Sequence, residues 1–242
     1  MDLKTEVLGV RFDDLSLEEM VHTAASLIEA GGFHYAVTPN PEFILSARDN
    51  EAFREVLNQA DLSMPDGIGV IYASRILGRP LKGRVPGIDF ASGLIAWAAR
   101  TGRRLFLLGS KPGIAELAAA SLRGQYPGLT VCGTHDGYFK EDAPVVSAIQ
   151  EAQADVVLVG LGAPKQELWM AQNGPATGAK FMIGLGGALD VFAGVTQRAP
   201  ERWQKMGMEW CYRLIHDPKR ISRMAKLPLV LVQAAGQRVR GK

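Results

Sequence analysis

Two rhythms of apolar residues alternate along the chain. Leu17, Met20, Val21, Ala24 and Ile28 fall on one face at helical spacing. Ser16 and Glu19 stand at capping-box spacing before that run, and Gly31-Gly32 closes it, which predicts a helix. Short continuous apolar runs read instead as buried strands: Phe33–Val37, Leu62–Met64, Arg104–Leu108, Leu129–Cys132, Asp155–Leu161 and Lys180–Leu185. Val7–Phe12 reads as one further short strand. Helices are expected between them. One is capped by Asn40 with Pro41 first, one lies around Phe53–Leu57, and others run over Ile68–Leu77, Ile88–Arg100, Ile114–Arg123, Val145–Ala152 and from the Gly162-Ala-Pro-Lys165 turn through Met170. This alternation predicts right-handed βαβ units, hence an α/β fold: a Rossmann-like parallel sheet flanked by helices.

The pattern changes after Val195. Pro200 opens one helical piece, Met206–Ile215 forms another, and Asp217-Pro218 can cap a third. Pro228 opens the apolar stretch Leu229–Ala235. Residues 1–195 are therefore expected to form the catalytic α/β domain and 196–242 a basic helical appendage. Leu227–Ala235 is too short to cross a bilayer, which takes about 20 residues, and fits an interfacial helix or one packed on the core.

At 242 residues and 47% hydrophobic, the chain can build one sizeable core. Charge sharpens the division. Residues 1–195 hold 16 Lys/Arg against 22 Asp/Glu, and residues 196–242 hold 11 against 3, so the two parts carry net −6 and +8. Such a tail fits phospholipid, nucleic acid or a phosphorylated ligand, or is simply a solvated basic helix. No secretory signal is read at the N-terminus, and Cys132 and Cys211 are far apart, so a cytoplasmic location with reduced thiols is expected.

Polar and glycine-rich motifs fall at the predicted strand ends, where open α/β sheets bind ligands. Gly109-Ser-Lys-Pro-Gly113 joins strand to helix, and its amides with Ser110 and Lys111 could hold a diphosphate. It is neither a Walker loop nor G-x-G-x-x-G, and an ordinary tight turn explains it equally well. Gly160, Gly162, Lys165, Gln166 and Glu167 are expected to face the same crevice, as is the third turn Gly184–Asp190 with Gly186. Asp66 lies in a Pro-Asp-Gly turn at a strand end and is the candidate general base; Thr38 and Asn40 come from a neighbouring strand end. The chain has no Asp-x-Asp pair, and its four histidines lack ligand spacing, so no metal or other cofactor is expected.

Together these motifs resemble the WecG/TagA/CpsF glycosyltransferases. The resemblance rests on Thr38–Glu42, Ala60–Gly69, Arg84–Asp89, Gly109–Gly113, Tyr126-Pro-Gly, Gly137–Phe139, Gly160–Glu167, Gly184–Asp190, Arg198–Arg202 and Glu209–Arg213, in this order. It implies inverting, metal-independent transfer from a UDP-sugar, often UDP-N-acetylmannosamine, to undecaprenyl-diphosphate-linked N-acetylglucosamine. The product would enter teichoic acid or another surface polysaccharide, made by a protein peripheral to the inner membrane face. Asp66 would be the base, with Thr38 and Asn40 in the sugar or acceptor pocket and Gln166 near the donor. Arg213, Arg220 and Arg223 would belong to an appendage closing over the site. The substrate-binding set is then Arg84, Gly109, Ser110, Lys111, Gly113, Gly160, Gly162, Gln166, Glu167, Gly186, Asp190 and those three arginines. No nucleic-acid partner is expected, and self-association is left open. The competing classes are a nucleotide-dependent oxidoreductase, disfavoured by the missing dinucleotide fingerprint, and a nucleic-acid-binding protein using the basic tail.

Overall fold

The structure is a computed structural model, and residues 4–206, 208–216 and 226–240 are described. The chain opens with a hairpin, β1 (Lys4–Val7) and β2 (Val10–Asp13), turning through Leu8 and Gly9 at φ +53° and +85°. Sequence reading predicts one strand here. Leu8 occupies a left-handed position that glycine or asparagine usually announces, so the turn is hidden. Next come α1 (Leu17–Ala30), β3 (His34–Val37), α2 (Pro41–Asp49), α3 (Glu51–Gln59) and β4 (Leu62–Ser63). The capping box of Ser16 and Glu19 is formed in both directions. The centre holds α4 (Ile68–Ile76), α5 (Gly87–Thr101), β5 (Arg104–Gly109), α6 (Ile114–Gln125) and β6 (Thr130–His135). Then follow α7 (Asp142–Glu151), β7 (Val156–Gly160), α8 (Lys165–Asn173), β8 (Phe181–Gly184) and α9 (Ala188–Phe192).

Strands β4-β3-β8-β7-β5-β6 lie in that order in one sheet, and every pairing between them is parallel. Both faces are covered, as continuous apolar strands require. Phe106, Leu108, Val157, Val159 and Met182 point into one cluster with α2, α3, α7 and α8. Leu105, Leu107, Val156, Leu158, Phe181 and Ile183 point into the other with α1, α5, α6 and α9. The chain leaves β5 outward to β6 but leaves β7 the other way to β8. The crevice between β5 and β7 is thus a switch point, where such sheets open a ligand site.

Beyond the core lie α10 (Glu201–Lys205), α11 (Glu209–His216) and α12 (Lys226–Arg240). The predicted third piece of the appendage, with Lys219, Arg220 and Arg223, lies outside the described residues. Helix α12 packs on α4 and α2, with Val230 and Ala234 fully buried. Arg238 Nη1 donates to the Leu77 carbonyl at 2.7 Å, where α4 ends and cations are favoured. Of the two sequence readings for this segment, packing on the core is therefore realised. No described helix is long and apolar enough to cross a membrane.

Candidate functional site

The glycine-rich turns after β5, β7 and β8 lie at the carboxyl edge of the sheet. Gly109 ends β5 in register with Gly160 of β7, and a Cβ on it would run into the Gly160 backbone. Its φ of +132° independently excludes most side chains. Ser110, at φ +61°, stitches this edge together. Its N–H donates to the Gly160 carbonyl (3.0 Å), its carbonyl accepts from Gly137 N–H (2.9 Å), and its hydroxyl donates to Asp190 Oδ2 (2.5 Å). The Ser110 amide is thus not free for an anion, unlike the simplest reading of the motif. The anion-binding capacity lies one step on: α6 starts after Gly113 with no side-chain cap, and Lys111 is exposed beside it. Helices α4, α8 and α9 also start at this edge, at Gly67, Pro164 and Gly187, without side-chain caps. Gln166 N–H and Ala188 N–H are taken up by the Gly162 and Leu185 carbonyls, so it is the positive dipole ends of the longer helices α4, α6 and α8 that suit a diphosphate.

Gln166 and Glu167 sit elsewhere than sequence reading suggests. They do not face the crevice; they are 1% and 0% exposed, directly beneath it. The first turn of α8 rolls inward over Gly184, whose missing side chain makes room: a Cβ there would lie 2.7 Å from Gln166 Nε2 and 3.0 Å from Glu167 Oε1. Gln166 Oε1 accepts from Gly162 N–H (3.2 Å) and Gly186 N–H (3.0 Å), while Nε2 donates to Glu167 Oε1 (2.6 Å). Glu167 Oε2 is buried and has no hydrogen-bond partner. Burial pushes the Glu167 carboxyl up to about 7, against the opposing pull of the Gln166 hydrogen bond.

Asp66 follows β4 and is half-buried. Its N–H donates to the Pro39 carbonyl (3.1 Å), and its Oδ2 accepts a long bond from Gly87 N–H (3.5 Å) at the start of α5. Thr38 is nearly buried, and its hydroxyl donates to the Gly184 carbonyl at 3.1 Å, which ties β3 to β8. Asn40 Oδ1 caps α2 by accepting from Glu42 N–H (2.8 Å) and Phe43 N–H (3.2 Å). Thr38, Asn40 and Asp66 therefore come together around the ends of β3 and β4, as expected.

Arg84 faces the appendage. Both its terminal nitrogens lie 3.4 Å from Glu209 Oε2, and Glu209 is 5% exposed. Arg198 grips Asp89 with two nitrogens, the longer contact at 2.9 Å, and its Nε lies 3.9 Å from Glu209 Oε1. Burial works against the Arg198 charge, but Asp89, Glu209 and Asp66 outweigh it and raise its pKa. A cavity of about 460 Å3 opens here, lined by Arg84, Asp89 and Pro86 together with apolar Leu17, Ile68 and Met206. Sequence reading singles out Arg84 but not its partners. Asp89, Arg198 and Glu209 lie inside the quoted motifs, yet nothing local announces pairings 109 and 125 residues apart. Arg213 lies on α11. Its side chain, like Arg220 and Arg223, falls outside the described residues. Among the described residues, no three His, Cys, Asp or Glu side chains cluster as a metal site.

Known proteins match this chain along its length. The profile of the Glycosyl transferase WecG/TagA/CpsF family matches residues 5–242. Two relatives, from Staphylococcus aureus strains MRSA252 and MW2, are each named N-acetylglucosaminyldiphosphoundecaprenol N-acetyl-beta-D-mannosaminyltransferase. Each is 35% identical over 234 residues, covering 96% of this chain and 92% of the relative. This closes the oxidoreductase reading: the chain belongs to the WecG/TagA/CpsF family and is a glycosyltransferase.

Proposed function

We propose that this enzyme transfers N-acetylmannosamine from UDP-N-acetylmannosamine to undecaprenyl-diphosphate-linked N-acetylglucosamine, with inversion and without a metal. The observation that carries the reading is the shared sheet edge. A carboxylate, Asp66, and a row of helix N-termini without side-chain caps open onto it together. Asp66 takes the proton from the acceptor hydroxyl as that oxygen attacks the anomeric carbon. The bond from that carbon to the diphosphate breaks, and the negative charge passes to UDP. The positive dipole ends of α6 and α8, with Lys111, stabilise the departing diphosphate. The names of the relatives support the choice of sugar and acceptor.

The acceptor enters beside Arg84, whose guanidinium lines one cavity with apolar Leu17, Ile68 and Met206 and with the carboxylates of Asp89 and Glu201; the apolar side suits a hydrocarbon chain, and Arg84 is the cation that would meet its diphosphate. In this reading residues 1–195 bind the donor. Residues 196–242, with Arg213, Arg220 and Arg223, complete the site and hold it at the inner membrane surface. The test is a panel of UDP-sugars offered with a short-chain lipid-diphosphate N-acetylglucosamine. UDP-N-acetylmannosamine should be the productive donor and give a β-linked product at a rate that EDTA does not lower. Turnover only with a glucose-type donor, or only with added divalent metal, refutes the corresponding part.

A further inference from the structure

We infer that Gln166 and Glu167 act as a positioning brace beneath the donor site: Glu167 orients the Gln166 amide, and Gln166 locks the turn after β7 to the turn after β8. The inference rests on the donor reading proposed above.

Gln166 Oε1 has two acceptor positions, and both are filled, one by Gly162 N–H at 3.2 Å and one by Gly186 N–H at 3.0 Å. These two glycines belong to different turns of the carboxyl edge, so one side-chain oxygen sets the gap between them. That works only while the amide presents its oxygen. The reversed amide would aim its NH2 at two N–H donors and leave all of them unpaired. Glu167 fixes the choice, because its Oε1 accepts from Gln166 Nε2 at 2.6 Å and so holds the amide with its NH2 on that side. Gly184 completes the device by leaving the volume that both side chains fill.

Fold stability does not account for a carboxyl in this place. Glu167 is fully buried with Oε2 unpartnered, and a buried carboxyl with one oxygen unpaired costs free energy that an apolar residue would not. What the carboxyl supplies is an acceptor at a fixed point. Neither residue reaches the crevice surface, so both act through Gly162 and Gly186 rather than on the substrate.

The experiment compares Glu167→Ala, Glu167→Gln and Gly184→Ala with the wild-type enzyme. It measures UDP affinity by calorimetry and separates donor KM from kcat in the transfer assay. Glu167→Ala should raise donor KM and UDP Kd by about tenfold, the scale of one lost oriented hydrogen bond, with kcat changed by less than about threefold. Glu167→Gln keeps an acceptor and should stay within about threefold of wild type. Gly184→Ala pushes the same pair from the other side and should reproduce the Glu167→Ala pattern, which serves if Glu167→Ala does not fold. Wild-type donor KM in Glu167→Ala, or in Gly184→Ala where Glu167→Ala does not fold, overturns the brace. Equal damage from Glu167→Gln and Glu167→Ala does so as well. A wild-type enzyme that transfers sugar without measurable UDP affinity removes the donor reading, and the role of the brace goes with it.

Discussion

The core and the terminal segment of this enzyme are held by different forces. Up to Val195 the fold is a sheet buried on both faces, where alternate residues of each strand enter opposite apolar clusters. After Val195 the chain attaches through ion pairs, Arg198 to Asp89 and Glu209 to Arg84, and through one helix seam at Val230 and Ala234. The candidate base and the uncapped helix ends sit in the first region, while the second adds cations beside them. Apolar burial is indifferent to ligand charge. Ion pairs compete with it, because a diphosphate arriving at Arg84 or Arg198 meets guanidiniums already engaged by carboxylates. The contrast predicts that damage to the core chemistry abolishes turnover, whereas damage to the attachment grades it.

The largest effect should come from the base. Asp66→Asn removes the proton acceptor and leaves the amides untouched. Turnover should fall by about 10²–10⁴-fold, the usual worth of general base catalysis, while UDP affinity stays within about threefold. Unchanged turnover in the transfer assay takes Asp66 out of the base role and breaks the division of labour between the regions.

Next comes a pH effect confined to the core. Glu167 has a folded pKa raised to about 7 from an ordinary 4.5, driven first by burial. Between those values the folded state binds more protons than the unfolded state, so stability falls as pH rises through that window. The full loss is on the order of 3 kcal/mol and is complete once pH passes the folded pKa. Denaturant unfolding from pH 5 to 8 should show this slope in the wild type and lose most of it in Glu167→Gln. The same slope in both proteins would assign the titration to another group.

The attachment comes third. Glu209 is deeply buried, and its removal leaves Arg84 and Arg198 short of a counter-charge. A cycle of Arg84→Ala, Glu209→Ala and the double variant should give a coupling of about 2 kcal/mol, within the range for contacting side chains. The measurement is proteolytic cleavage between residues 196 and 216 under native conditions, which reports opening of this segment rather than global unfolding. Additive effects would mean that the pair does not hold the appendage.

The same division decides what was legible in the sequence. Strand ends were readable because glycine clusters mark where backbones approach, as at Gly109 against Gly160. The caps of Ser16 and Asn40 were readable because capping is local. Strand β6 runs past Cys132 to His135, which the sequence hides because Gly133 interrupts the apolar run; that glycine lies under the Phe106 ring. Helix α7 starts at Asp142, ahead of the apolar run, with Pro144 tolerated in the first turn. The inward roll of Gln166 and Glu167 was not readable, since it depends on the space above Gly184 in another strand. The ion pairs of the appendage were hidden for the same reason, as each joins residues more than a hundred positions apart.

The smallest expected effect tests the terminal segment against itself. On α12, Val230 is fully buried against the core, whereas Val232 is 67% exposed and Leu229 and Val239 also face outward. Truncating Val230 to alanine deletes two buried methyl groups and should cost about 1.5 kcal/mol of stability. Truncating Val232 should change stability by less than about 0.5 kcal/mol, because water already covers that side chain. Its effect belongs elsewhere if this face meets the bilayer: Leu229, Val232 and Val239 would be the apolar part of a surface whose last turn adds Arg240, while Arg238 stays on the Leu77 carbonyl. Val232→Asp should then reduce sedimentation with anionic lipid vesicles and leave the melting temperature nearly fixed, and Val230→Ala should do the reverse. Vesicle binding untouched by Val232→Asp would move the membrane contact off this face of α12 and leave the helix a purely structural seam.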